Sequence, residues 1–89
     1  MSATTTEKAA WVRYEGGHYE RREKADHWDK WTNVTWPGVI CFSVWPARAG
    51  GWKWKTSHLG RDEIGYGSGI ARTLADAKRQ ALNAADNVS

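Results

Sequence analysis

Gly38 to His58, GVICFSVWPARAGGWKWKTSH, decides how this 89-residue chain folds. From Val39 to Trp45 almost every residue is apolar, which suits a central strand. Ile40, Phe42 and Val44 share one side of it. Val39, Cys41 and Trp45 share the other. Pro46 has no N–H for a ladder, so the strand ends there. Gly50-Gly51 turns the chain back. Trp52, Trp54 and Thr56 then alternate with Lys53, Lys55 and Ser57, the period-two pattern of a half-buried strand. The stretch reads as a hairpin at the centre of the fold, with Ile40, Phe42 and Val44 beneath a helix.

The helix comes last. Thr73 and Asp76 resemble a capping box, with Asp in place of the usual Glu or Gln. Leu74, Ala77, Ala81, Leu82 and Ala85 recur at helical spacing. Strong helix formers dominate from Leu74 to Ala85. Arg72, Asp76, Arg79, Gln80 and Asn83 are expected to face water. Between hairpin and helix, Ile64, Tyr66, Ser68 and Ile70 alternate with Gly65, Gly67 and Gly69. As a strand, this segment has one face without side chains, where the indole of Trp52 or Trp54 can lie across the backbone. The alternative is a glycine-rich loop.

Upstream of the hairpin, residues 1–8 are polar and expected to fray. Ala9 to Tyr14 reads as a strand, Glu15-Gly16-Gly17 as a turn, and His18 to Glu23 as a returning, solvated edge strand. Lys24 to Trp36 reads either as a helical turn capped by Asp26 or as a loop over the sheet. The fold class is therefore α+β: an antiparallel sheet of four or five strands with one C-terminal helix across a face, in a single domain over residues 9–89.

Composition narrows the function. A chain this short buries only about 60–65% of its unfolded surface. Seven tryptophans partly offset the shortage of aliphatic residues. Cys41 is the only cysteine, so no internal disulfide forms, and its apolar surroundings suit an inert thiol. The first ten residues lack an apolar signal core, and no run approaches the ~18 apolar residues of a membrane span. A soluble, cytoplasmic protein without membrane association is expected. The net charge is +3, and the excess lies in residues 46–89, with seven basic and four acidic side chains.

No catalytic or cofactor motif stands out. Gly65-Tyr66-Gly67-Ser68-Gly69 before a helix start suggests a phosphate turn, but the spacing is GxGxG, and no Gly-Lys-Ser/Thr occurs. His18, His27 and His58, with Glu23, Asp26 or Asp29, lack metal-ligand spacing. Ser43, Ser57 and Ser68 sit in no GxSxG. We expect a protein that is not an enzyme and uses no metal or other cofactor.

Two binding patterns remain. Trp28, Trp31 and Trp36 crowd a segment without periodicity, and tryptophan is a favoured interface anchor. Arg48, Lys53, Lys55, Arg61, Lys78 and Arg79 offer a basic surface for nucleic acid, with Trp52 and Trp54 available for stacking if they are not packed inside. A protein partner is the preferred reading, and nucleic acid the alternative. The glycine-rich strand, if it lies at an edge, would admit a homodimer as well as a monomer.

The segment Gly69-Ile70-Ala71-Arg72-Thr73-Leu74-Ala75-Asp76-Ala77-Lys78-Arg79-Gln80-Ala81 resembles the strand-to-helix junction of HicB-like antitoxin domains. Those domains start their helix with Thr-Leu-x-acidic-Ala after a glycine-containing strand. The resemblance covers thirteen residues and implies a sheet with a helix and a protein partner. The texture of the whole chain is similar to that of small phage and mobile-element proteins. That likeness implies an accessory factor, or an inhibitor of a host defence nuclease of the anti-CRISPR kind.

Overall fold

The computed structural model describes residues 10–88, with side chains to Asp86. The expectation for residues 1–8 lies outside the described residues. Seven strands precede one helix: β1 (Val12–Arg13), β2 (Tyr19–Lys24), β3 (His27–Asp29), β4 (Val34–Trp36), β5 (Val39–Pro46), β6 (Trp52–Leu59), β7 (Glu63–Ala71) and α1 (Leu74–Val88). Five of them form an antiparallel sheet in the order β1-β2-β5-β6-β7, and β3 pairs only with β4. The fold is α+β, with α1 packed on β5, β6 and β7.

The quoted hairpin is its centre. β5 and β6 pair in unbroken register from Val39↔Leu59 to Pro46↔Trp52. Val44 is fully buried and Phe42 nearly so, on the side that faces α1. Ala77 and Ala81 of α1 are also fully buried, because alanine lets the helix lie close on the sheet. The Thr56 hydroxyl, fully buried, donates to the Ala81 carbonyl at 2.6 Å and ties sheet to helix. At the start of α1, the Asp76 N–H donates to Thr73 Oγ1 at 3.1 Å, as the capping pattern predicts.

The glycine-rich segment is a strand rather than a loop. Trp54 lies across it. A methyl at Gly69 would stand 2.9 Å from Trp54 Nε1, and one at Gly67 would stand 3.3 Å from Trp54 Cη2. The indole is packed between bare backbone and helix. Its Nε1–H donates to Gln80 Oε1 at 2.9 Å. Gln80 thus does not simply face water as its position on the helix suggested; a half-buried indole N–H requires an acceptor there.

Three further differences from the sequence reading stand out. β2 is an edge strand only in part. β1 covers Tyr19 and Glu20, and Arg21 to Lys24 pair with β5 alone. Residues 24–36 form neither a helical turn nor a plain loop; β3 and β4 make a small hairpin closed by a turn. And β7 carries a bulge. Thr56 pairs with Gly67 but Ser57 with Gly65, so Tyr66 is the extra residue. The bulge brings Tyr66 to the helix side of the sheet, beside His58, instead of the opposite side that strict alternation assigns.

Candidate functional site

The β3–β4 hairpin pairs with no strand of the main sheet, and its stem is held by hydrogen bonds at Ala25 and His27. The Ala25 N–H donates to the Gly38 carbonyl at 3.1 Å across the base. The Ala25 carbonyl in turn accepts a 2.8 Å hydrogen bond from His58 Nε2. A carbonyl can only accept, so Nε2 carries the His58 proton. His58 is fully buried, and its Nδ1 has no partner. Two glycines make its niche. A methyl at Gly38 would come within 2.8 Å of His58 Cε1, and one at Gly60 within 3.1 Å. His27 and Tyr66 complete the cluster, with the His27 ring centroid 5.5 Å from that of His58 and 5.7 Å from that of Tyr66. His27 Nδ1 and the Tyr66 hydroxyl share a 2.8 Å hydrogen bond. Burial pushes the Tyr66 hydroxyl above its ordinary value, so it stays protonated.

Beyond the stem, the hairpin holds its own turn. The Trp31 N–H donates to Asp29 Oδ1 at 2.9 Å. That bond is the main reason the Asp29 carboxylate lies below its ordinary range. Asn33 takes the left-handed conformation, φ 57°, and its Oδ1 accepts from Trp28 Nε1 at 3.0 Å. His27 is opposite Trp36, so these two share a face of the hairpin and Trp28 points the other way.

The three tryptophans singled out from the sequence therefore separate. Trp36 is half-buried, with the Arg61 guanidinium 5.1 Å from its ring centroid. Trp28 is 58% exposed and Trp31 87% exposed. The Trp28 indole N–H and the Trp31 backbone N–H are engaged with the turn, yet both rings are left in water.

Trp28 overlooks a groove of about 800 Å³ between the hairpin, the β2–β5 face and the far half of α1. Its floor is apolar: Ile40, Phe42, Leu82 and Ala85. Arg21, Glu23, Asp26 and Asp86 supply the charge. Arg21 reaches Glu23 at 3.3 Å and lies 5.8 Å from the Phe42 ring centroid. Its Nε is buried without an acceptor. None of these residues forms a local motif.

The six basic candidates do not gather on one surface. Lys53 and Lys55 rise from the sheet face opposite α1, and Lys55 pairs with Glu63 at 2.9 Å. Arg79 pairs with Asp76 at 3.0 Å. Lys78 lies on the helix side, 4.6 Å from the Tyr19 ring centroid and 5.3 Å from that of Trp11. Arg61 is stacked on Trp36. Arg48 sits exposed in the β5–β6 loop. Trp52 and Trp54 pack against the core rather than standing free for a base.

Among the described residues no group of three or more His, Cys, Asp or Glu side chains is placed to hold a metal ion. No described helix is long and apolar enough to cross a membrane. No protein-family model matches the chain, and no match is found among curated proteins or solved structures.

Proposed function

We propose that this chain is a non-catalytic module that binds a protein partner through the β3–β4 hairpin and the groove beside it. The observation that carries the reading is the exposure of Trp31 and Trp28, 87% and 58%, on a hairpin whose turn is nonetheless held by hydrogen bonds. Exposed indoles on an ordered support are the usual anchors of a protein interface, because their rings bury large areas with little loss of side-chain freedom. The scattering of the basic residues ranks nucleic acid second. The resemblance to small phage proteins, read from the sequence alone, makes a host defence nuclease the first class of partner to test, as the target of an inhibitor.

The test is affinity capture from the native host with the wild-type chain and with Trp28→Ala/Trp31→Ala. A defined protein should be recovered by the wild type and lost with the variant, while both chains give the same circular dichroism. Recovery of the same protein by both, or of nucleic acid alone that is released by salt, would overturn the reading.

A further inference from the structure

We infer that β7 is the seam of a homodimer: a second copy of this chain lays its own β7, antiparallel, along the open side of the sheet. This surface is separate from the hairpin and does not depend on the protein-binding reading above. β7 ends the strand order and pairs only with β6. In an antiparallel strand with one neighbour, every second residue turns its N–H and C=O away from that neighbour. Among the described residues no backbone group outside β6 bonds to Gly67–Ala71. The bulge at Tyr66 interrupts the ladder just before this segment, so Gly67–Ala71 is the regular part that can accept another strand. Its five residues make an ordinary strand length.

The two ends of the sheet are guarded unequally. Where β2 has no neighbour beyond β5, it reads Arg21-Arg22-Glu23-Lys24, four charges in succession. Charged side chains on an open strand deter pairing with another chain. Gly67–Ala71 has neither a charge nor a proline. Ile70 is 64% exposed there, and it shares with Ser68 the sheet face opposite α1.

Self-complementarity selects a second copy as the occupant. A twofold axis through Gly69, perpendicular to the sheet, sets Ile70 opposite Ser68 of the second copy and the reverse. The two isoleucines then lie diagonally across the seam on one face, within reach of each other. No like charges are opposed along it. Lys53, the neighbour of Ile70 in β6, stands at least three strand spacings, about 14 Å, from its counterpart, which exceeds the ~10 Å screening length at 0.1 M salt. The hairpin meets β7 at Tyr66, outside the seam, so the dimer carries two copies of the Trp28 and Trp31 pair.

Sedimentation equilibrium of the full chain, from low to high micromolar concentration, should show a monomer–dimer equilibrium. Ser68→Lys/Ile70→Lys sets two lysines from each copy into the seam and should weaken dimerisation by at least about tenfold. Both positions are exposed, so its circular dichroism should match the wild type. In a mixture of isotope-labelled and unlabelled wild-type chains, intermolecular NOEs should join the Ile70 methyls of one copy to Ser68 of the other. A wild type that is monomeric throughout, a dimer that the double variant leaves intact, or intermolecular NOEs confined to Trp28 and Trp31 would each overturn the inference. The NOE map of the wild type decides the matter if the variant does not fold. A monomeric wild type that captures a protein which the double variant loses would also overturn it, and would assign the edge to a strand of that partner.

Discussion

Trp54 and Trp31 are the same residue treated in opposite ways. Trp54 lies between a glycine track and α1, with its N–H given to Gln80. Trp31 stands 87% exposed at the tip of the β3–β4 hairpin. The difference does not come from the side chain. It comes from whether the neighbouring chain offers room. β7 sets Gly67 and Gly69 opposite Thr56 and Trp54, where an indole can settle. The hairpin has no such neighbour, since β3 and β4 pair only with each other. An indole left in water forgoes the ~25 cal/mol per Å² that burial would return, and a partner can recover that sum.

The comparison should break most visibly at Trp54. Trp54→Ala is expected to lose about 3–5 kcal/mol, through a cavity between β7 and α1 and the unpaired Gln80 amide. Gly69→Ala should lose about 1–3 kcal/mol by pressing on the same indole, and the two losses should not add, because both act on one contact. Urea unfolding of the two single variants and the double variant measures this.

The stem of the hairpin comes next. His58→Phe keeps the ring in its glycine niche but strips the Ala25 carbonyl of its donor, for an expected loss of about 1–3 kcal/mol. Hydrogen exchange should speed up first at residues 27–36, while the amides of β5 and β6 stay protected. Uniform deprotection would show instead that the hairpin and sheet open as one unit. Trp31→Ala should change stability by less than about 0.5 kcal/mol, the ordinary scale of an exposed site. A larger loss would mean that the indole supports the fold rather than awaiting a partner.

The smallest effect is electrostatic. The folded Asp29 carboxylate lies below its ordinary range, held chiefly by the Trp31 N–H. A depressed value means that its contribution is present above the ordinary range and is lost as pH falls through the lower value of the folded state. At pH below the ordinary carboxylate range, the amide of Trp31 should move toward its unbonded shift while the indole N–H of Trp54 does not. Asp29→Asn should abolish that titration.

The sheet and helix were legible because long elements repeat their pattern. β5, β6 and β7 are eight, eight and nine residues, long enough for period two to show. α1 announced itself by a cap and an alanine-rich stripe. The strands of the small hairpin have three residues each, too few for any period. Their signal was local instead: Asp29 and Asn33 bracket a turn, one accepting a backbone N–H and the other taking a left-handed φ. Trp28 and Trp31 were readable as anchors from their crowding. Trp36 was grouped with them only because strand pairing, which separates Trp28 from Trp36, cannot be seen along the chain. The groove was not legible at all. Its walls come from residues 21–28, 40–42, 66 and 82–86, and Tyr66 reaches it only through a bulge.

The strand order also ranks the pairings of the main sheet by the loop each must close. β5–β6, β6–β7 and β7–α1 each join neighbours along the chain, so their contacts close short loops. In the main sheet, β2–β5 is the pairing that must leap, from Lys24 to Val39 across the whole β3–β4 segment. Loop-closure entropy places that step after the others. Substitutions in β5 and β6 should therefore slow refolding, and substitutions in β2 should chiefly speed unfolding. The groove draws one wall from each side of the leap. The groove is therefore expected to form only once both pairings are made, so a partner that grips it would meet the assembled sheet.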